Sequence, residues 1–242
     1  MHLSVEPAKT EKESEEIKYA PITRESNVIL PYNVSTEYYV EELEEIDCKI
    51  GYSFFKRLFD IVFSALLLVV LSLPMLIIAI AVKCSSPGGA LFFQERLGKD
   101  GKKFHIIKFR SMYLDAEKNG AQWSDGDDDP RITRIGFFLR KTRLDELPQL
   151  WCILTGTMTF VGPRPEREIF YNEFELYIHG FKERLKVTPG LTGLAQVNGG
   201  YDLRPEEKII YDIEYIKNRS IRLDIKILLR TVAVIFAHDG AK

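Results

Sequence analysis

Two adjacent carboxylates, Asp145 and Glu146, stand in the stretch Thr142-Arg143-Leu144-Asp145-Glu146-Leu147-Pro148-Gln149-Leu150. Arg131, Arg134, Arg140, Lys141 and Arg143 lie close before or within it, and Gly162-Pro163-Arg164-Pro165 follows. Carboxylates beside that much positive charge suit chemistry at phosphate. One can attack a phosphorus atom, and the other can hold magnesium, which takes oxygen ligands and keeps several waters. Taken alone, an Asp-Glu pair is also an ordinary surface feature, and Thr142-x-x-Asp145 reads as a capping box. That register puts Pro148 well inside a helix, where it costs about 3 kcal/mol. With Asp145 as the N-cap, Pro148 falls in the tolerated first turn. The second register is cheaper and predicts a helix from Asp145, docked through Leu147, Leu150, Trp151 and Leu154. Both carboxylates then sit at the positive end of a helix, which also attracts phosphate oxygens.

Three further groups bear on the same chemistry. Pro163 and Pro165 fix their own φ and bias the residues before them to extended geometry. Arg164 therefore sits on a stiff loop, as a planar fork for phosphate or as a solvent-facing arginine in a structural turn. In Lys103-Phe104-His105-Ile106-Ile107-Lys108-Phe109, alternation puts Lys108 on one face with Phe104 and Ile106. That lysine is either a snorkelling edge residue or an ammonium held at a phosphate. Asp127-Asp128-Asp129 is a possible metal-binding triplet, but the following Pro130 and the missing βαβ pattern favour a solvated loop.

The elements that position these groups start with a membrane-like stretch. Ile61 to Val82 runs 22 residues without a charge, long enough to cross a bilayer. Pro74 lies inside it, and should kink the helix because it lacks an N–H and crowds the Val70 carbonyl. The Ser72 hydroxyl is placed to satisfy part of the freed backbone. Lys56 and Arg57 flank the run on one side and Lys83 on the other, so both a re-entrant bend and a kinked span fit. Beyond it, Leu91–Glu95 and Lys103–Phe109 read as strands around a Gly98–Gly101 turn. Helices are expected over Met112–Lys118, over Ile132–Trp151 with a break near Thr142–Pro148, and over Glu166–Leu185. Two more are expected over Glu206–Lys217 and over Asp224–Ala237. The last begins with an Asp224 cap and carries a mixed basic and apolar surface suited to a membrane interface or to packing on the domain. Met158–Val161 reads as a short strand.

Charge is unevenly spread. Residues 1–50 hold 12 acidic and 5 basic side chains, and the remainder 23 and 28. The mildly basic body suits phosphate groups or an anionic membrane surface and shows no nucleic-acid motif. The acidic head, broken by Pro7, Pro21 and Pro31, reads as a loosely docked or flexible extension. Cys48, Cys84 and Cys152 are too far apart for a disulfide framework or zinc site and fit a reducing compartment. No apolar core follows a basic start, so no signal peptide is expected.

Several motifs in order resemble the bacterial sugar transferases, the monotopic phosphoglycosyl transferases that act on polyprenyl phosphate. They are Lys56-Arg57-Leu58-Phe59-Asp60 before the Pro-broken run, Lys108-Phe109-Arg110-Ser111-Met112, Asp129-Pro130-Arg131-Ile132-Thr133 and Leu144–Leu150. Val161–Glu166 and Pro189-Gly190-Leu191-Thr192-Gly193-Leu194-Ala195-Gln196-Val197-Asn198-Gly199 complete the set. The resemblance covers roughly residues 53–238. It implies transfer of sugar 1-phosphate from a UDP-sugar, such as a UDP-linked glucose or galactose, to undecaprenyl phosphate, initiating a surface glycan. Asp145 would be the nucleophile and, with Glu146, would hold Mg2+. Lys108 and Arg164 would contact phosphate, with Arg110, Arg131, Arg140 and Pro165 as further substrate-binding positions.

The implied architecture is α+β and mostly helical. Residues 1–52 form an acidic extension. Residues 53–84 form a re-entrant membrane helix bent at Pro74, with Ser72 at the bend and Lys56 and Arg57 at its flank. Residues 85–238 form a cytosolic catalytic domain with short strands and interfacial amphipathic helices. The implied location is the cytoplasmic face of the bacterial inner membrane. A homodimer or downstream glycosyltransferases are the expected protein partners. The sequence departs from the family pattern at Leu73, where some members have Ser directly before the proline. It also departs at Phe137 and Gly200, where many members are basic. The competing readings are a metal-dependent glycosyltransferase using Asp127–Asp129 and a non-catalytic membrane scaffold.

Overall fold

A computed structural model describes residues 36–43, 49–118, 129–199 and 203–237. In chain order, a two-residue strand, β1 (Tyr38–Tyr39), precedes a helix pair, α1 (Ile50–Val70) and α2 (Ser72–Ser85). Strands β2 (Leu91–Leu97) and β3 (Lys103–Phe109) form an antiparallel hairpin. Helix α3 (Arg134–Lys141), a 3-10 helix (Leu144–Gln149) and α4 (Leu150–Thr155) follow. Then come β4 (Thr159–Val161), α5 (Glu168–Glu175), β5 (Ile178–His179), a 3-10 helix (Phe181–Lys186) and β6 (Gly190–Thr192). The described chain closes with α6 (Leu194–Asn198), α7 (Pro205–Asn218) and α8 (Ile221–Ala237). Among the described residues the fold is mostly helical with three two-stranded sheets: β1–β5 parallel, β2–β3 antiparallel and β4–β6 parallel.

The apolar run forms two helices bent by 62°. No single described helix is long and apolar enough to cross a membrane. The break is at Leu71, three residues before the expected Pro74. Pro74 instead lies in the first turn of α2, where a missing N–H is tolerated. The Ser72 hydroxyl donates to the Val69 carbonyl at 2.7 Å rather than to the Val70 carbonyl that Pro74 frees. Lys56 and Arg57, expected as a membrane flank, turn into the protein. Lys56 pairs with Asp224 at 2.7 Å, and Arg57 donates to the Ile153 and Leu154 carbonyls at 2.7 Å each. Gly156 (φ +90) ends α4 directly against that guanidinium, where a Cβ would lie 3.1 Å from it. Asp60 is buried and accepts from the Phe160 N–H at 3.1 Å. Helix α1 is thus bolted to α4, β4 and α8 by three polar side chains.

Two apolar clusters hold the rest. The larger one joins the core face of the hairpin (Leu97, Phe104, Ile106) to Leu150, Cys152 and Ile153 of α4, the aromatics of α5, and Ile209, Ile213 and Ile216 of α7. The smaller one is Val82, Phe109 and Leu139, with Leu144 and Leu147 partly buried against it.

Several expected elements differ. Residues 114–118 form turns, because Met112 is drawn into a bridge with Ile132. The long helix expected over Glu166–Leu185 is cut into α5, β5 and a 3-10 helix by Gly180 (φ +92) and by pairing of β5 with β1. Its aromatics Phe170, Phe174, Tyr177 and Phe181 are all buried, so the side-chain pattern survives the broken backbone. Helix α8 begins at Ile221, not at an Asp224 cap. Asp224 is buried and bound by Lys56, Tyr52 (2.9 Å) and Tyr215 (2.8 Å).

Candidate active site

The dyad sits on the 3-10 helix Leu144–Gln149, between the two apolar clusters. Its local course corrects the expected N-cap at Asp145. The α-helix starts only at Leu150, after Pro148 has been absorbed into the tighter 3-10 turn. The entry residue is Arg143, in the left-handed region at φ 59, a conformation that costs a non-glycine residue on the order of 1 kcal/mol. The Thr142 hydroxyl donates back to the Phe138 carbonyl at 2.8 Å, closing α3 instead of capping the next helix. Trp151 is exposed, so Leu150, Cys152 and Ile153 dock α4.

The 3-10 geometry buries both carboxylates and gives them different surroundings. Glu146 Oε1 accepts from Lys108 Nζ at 2.9 Å and from Arg164 Nη2 at 2.5 Å. Its Oε2 has a single loose contact, Arg164 Nη1 at 3.4 Å. Burial pushes the Glu146 carboxyl up, but Arg164 and Lys108 outweigh it and hold the group well below the usual carboxylate range. Asp145 is as deeply buried, and no described residue donates a hydrogen bond to its carboxylate. Burial pushes it up to about 6, with Glu146 adding to the rise and Lys108, Arg140 and Arg164 opposing it.

The alternation in β3 accounts for Lys108: Phe104 and Ile106 enter the core, and the next residue on that face reaches the dyad. The Gly162–Pro165 loop accounts for Arg164. Close packing of Gly162 against Gly190 leaves no room there, since a Cβ on Gly190 would lie 2.1 Å from the Gly162 nitrogen. Arg140, near the end of α3, acts electrostatically on both Asp145 and Asp129. Pro165 is buried.

Two other expected residues face elsewhere. Arg110 is buried, and its guanidinium binds the carbonyls of Pro87 and Ser86 (2.8 Å to the latter) at the end of α2. Arg131 grips Asp129 with Nε at 2.8 Å and Nη2 at 2.5 Å. Asp129 also accepts the Arg131 backbone N–H at 3.0 Å, so its oxygens are taken up by its own turn. Asp127 and Asp128 lie outside the described residues. No group of three His, Cys, Asp or Glu side chains forms a metal cluster among the described residues. The sequence reading also missed groups around the dyad. Arg143 was seen only as nearby charge, yet it helps hold Glu146 ionised. The buried pair Arg184–Asp212 has no local signal at all, because its members are far apart in the chain.

An opened carboxylate beside one locked by two cations is the arrangement that phosphoryl chemistry calls for. The profile described as Bacterial sugar transferase matches residues 51–238. The chain belongs to the bacterial sugar transferase family. It is 41% identical over 194 residues to the UDP-N-acetylgalactosamine-undecaprenyl-phosphate N-acetylgalactosaminephosphotransferase of Aeromonas hydrophila, covering 79% of this chain and 46% of that protein. It is 42% identical over 191 residues to the UDP-glucose:undecaprenyl-phosphate glucose-1-phosphate transferase of Escherichia coli (strain K12), covering 77% and 41%. A putative undecaprenyl-phosphate N-acetylgalactosaminyl 1-phosphate transferase of Bacillus subtilis (strain 168) is 46% identical over 157 residues, covering 63% and 87%. The chain spans less than half the length of the first two relatives.

Proposed function

We propose that this sugar transferase moves a sugar 1-phosphate from a UDP-sugar to undecaprenyl phosphate. The names of the relatives support both substrates, and span glucose, galactose and N-acetylgalactosamine donors. The observation that carries the mechanism is the buried Asp145 carboxylate, which takes no hydrogen bond from any described residue, beside a Glu146 held ionised by Lys108 and Arg164. A carboxylate freed of donors keeps its lone pairs for attack. In the first step an Asp145 oxygen bonds the sugar-bearing phosphorus, the bridging P–O bond of the diphosphate breaks, and UMP leaves. In the second, the phosphate oxygen of undecaprenyl phosphate attacks that phosphorus, and the Asp145 carboxylate leaves. Splitting the transfer lets the water-soluble donor and the lipid acceptor bind in turn. Lys108, Arg164 and Arg140 offset the charge of the donor phosphates.

Magnesium fits this donor set. It favours one or two carboxylates together with substrate phosphates, and the Asp145 oxygens and the loosely held Glu146 Oε2 would be its protein ligands. Bound there, it would neutralise charge on the diphosphate.

A lipid acceptor calls for a membrane surface. The bent α1–α2 pair carries exposed Val69, Val70, Leu73, Leu76, Ile77 and Ile80. On α8, Ile221, Ile225, Leu229 and Val232 form one exposed apolar stripe at helical spacing, as an interfacial helix requires. These support insertion of the bent pair into one membrane leaflet; in this reading the leaflet is the cytoplasmic one and the product starts a surface glycan.

The test is transfer of radiolabel from a panel of UDP-sugars to undecaprenyl phosphate with MgCl2. Release of UMP and a labelled lipid diphosphate is expected. Release of UDP would instead identify a glycosyltransferase that moves the sugar alone. Asp145→Asn should abolish turnover while membrane extraction behaviour stays unchanged.

A further inference from the structure

The loop that presents Arg164 is held almost entirely through its carbonyls. Pro163 and Pro165 have no N–H to donate. Yet all four carbonyls from 163 to 166 are anchored by the body. Pro163 accepts from the Gly190 N–H at 2.9 Å, and Glu166 from the Leu97 N–H at 3.1 Å. Pro165 accepts from Arg96 Nη1 at 3.2 Å, and Arg164 from Arg184 Nη2 at 2.9 Å. Two of the four anchors are therefore guanidinium groups.

Each guanidinium also meets a carboxylate, through the same nitrogen that donates to the loop: Nη1 of Arg96 and Nη2 of Arg184. Arg96 pairs with Glu166 at 2.8 Å and with Gln94 Oε1 at 2.6 Å. Arg184 pairs with Asp212 of α7 at 2.6 Å, lies over the Phe181 ring at 4.9 Å, and is almost wholly buried with its partner. A buried ion pair is weak evidence for stability, because apolar residues of similar volume often replace it without loss. What an apolar pair cannot do is donate to the Arg164 carbonyl.

We propose that Arg184, oriented by Asp212, is a positioning residue that fixes the backbone of Arg164 so that its guanidinium meets the donor phosphates beside Glu146. The proposal rests on the reading of Arg164 as a phosphate ligand. Arg184 touches no substrate in this account and acts only through Arg164.

The experiment is a double-mutant cycle on the full chain, reading UDP affinity by calorimetry with MgCl2. Lysine keeps the charge of Arg184 but replaces a rigid fork by a single ammonium. Arg164→Lys and Arg184→Lys should each weaken UDP by about tenfold, equivalent to about 1.4 kcal/mol. The double variant should lie within twofold of Arg164→Lys alone, since residues acting through one another are not additive. Asp212→Asn, which keeps the shape of the pair, should repeat the effect and carries the cycle if Arg184→Lys does not fold. Multiplying losses in the double variant would show that Arg184 serves general stability and would overturn the proposal. UDP binding unchanged in Arg164→Lys would overturn the phosphate reading of Arg164 and the positioning role with it. Weakened binding in Arg164→Lys with full binding in both Arg184→Lys and Asp212→Asn would overturn the positioning role alone.

Discussion

At the residue scale, Asp145 and Glu146 share a turn and a degree of burial, yet their surroundings push them in opposite directions. The folded state raises Asp145 from 3.8 to about 6, so its ionised form is disfavoured on folding. That loss of stability is absent below the unfolded value, grows as pH rises from about 4, and is complete above about 6. At 1.36 kcal/mol per pKa unit it amounts to something on the order of 3 kcal/mol. Asp145→Asn should therefore raise the melting temperature by several degrees at pH 7.5, and the gain should vanish near pH 4. Glu146 is depressed, so its contribution has the opposite sign: present above its unfolded value near 4.5 and lost as pH falls below that. Glu146→Gln should lower the melting temperature at pH 7.5, because Lys108 and Arg164 are left without their counter-charge. Paired melts at the two pH values check both, and equal shifts for the two variants would contradict the assigned environments. If Asp145 must be ionised to attack, transfer should fall as pH drops through about 6, measurable as the acid limb of a rate profile.

At the element scale, part of the site was legible in the sequence. Alternation in β3 put Lys108 on the core face, and two prolines announced a stiff loop at Arg164, because both rules depend only on neighbours in the chain. The 3-10 helix under the dyad was not legible. Its competitor, an α-helix from Asp145, satisfies the same local rules, and the choice falls to Leu144 and Leu147 packing on the Val82–Phe109–Leu139 cluster. The contacts of Arg110 are out of reach of such rules for a similar reason, since its partners lie 23 and 24 residues away at the end of α2. Pro74 was legible as a cause of bending, and only the position of the break moved. That bend carries a prediction. If α1 and α2 re-enter, Cys84, exposed at the end of α2, faces the cytoplasm. In a Cys48→Ser background it should react with an impermeant maleimide in inside-out vesicles and not in intact spheroplasts. Pro74→Ala, in the first turn of α2 beyond the break at Leu71, should leave Cys84 labelled from the same side, because Val82 and Arg110 hold the end of α2 to the body. Labelling of the unmodified Cys84 in spheroplasts would exclude re-entry.

At the scale of the whole molecule, the apolar helix pair and the polar body are one folding unit. Lys56, Arg57 and Asp60 bind α8, α4 and β4 from one helix face. Leu67, Leu68 and Leu71 pack on the larger core, and Val82 is a fully buried member of the smaller one. The smaller cluster also supports the 3-10 helix that carries the dyad, so the membrane-like element and the Asp145–Glu146 carboxylates share a foundation. Arg110 adds a second tie, from the strand next to Lys108 to the exit of α2. A fragment starting at residue 86 would expose the Phe109 and Leu139 side of that cluster and leave Asp224 buried without Lys56. Stranding a buried charge costs several kcal/mol, comparable to the whole stability of a typical domain. The fragment should accordingly show no cooperative thermal transition by circular dichroism and no UDP binding, even in detergent. The full chain, extracted in the same detergent, should show both. A fragment that melts cooperatively and binds UDP would mean that the catalytic body folds independently of its apolar helices.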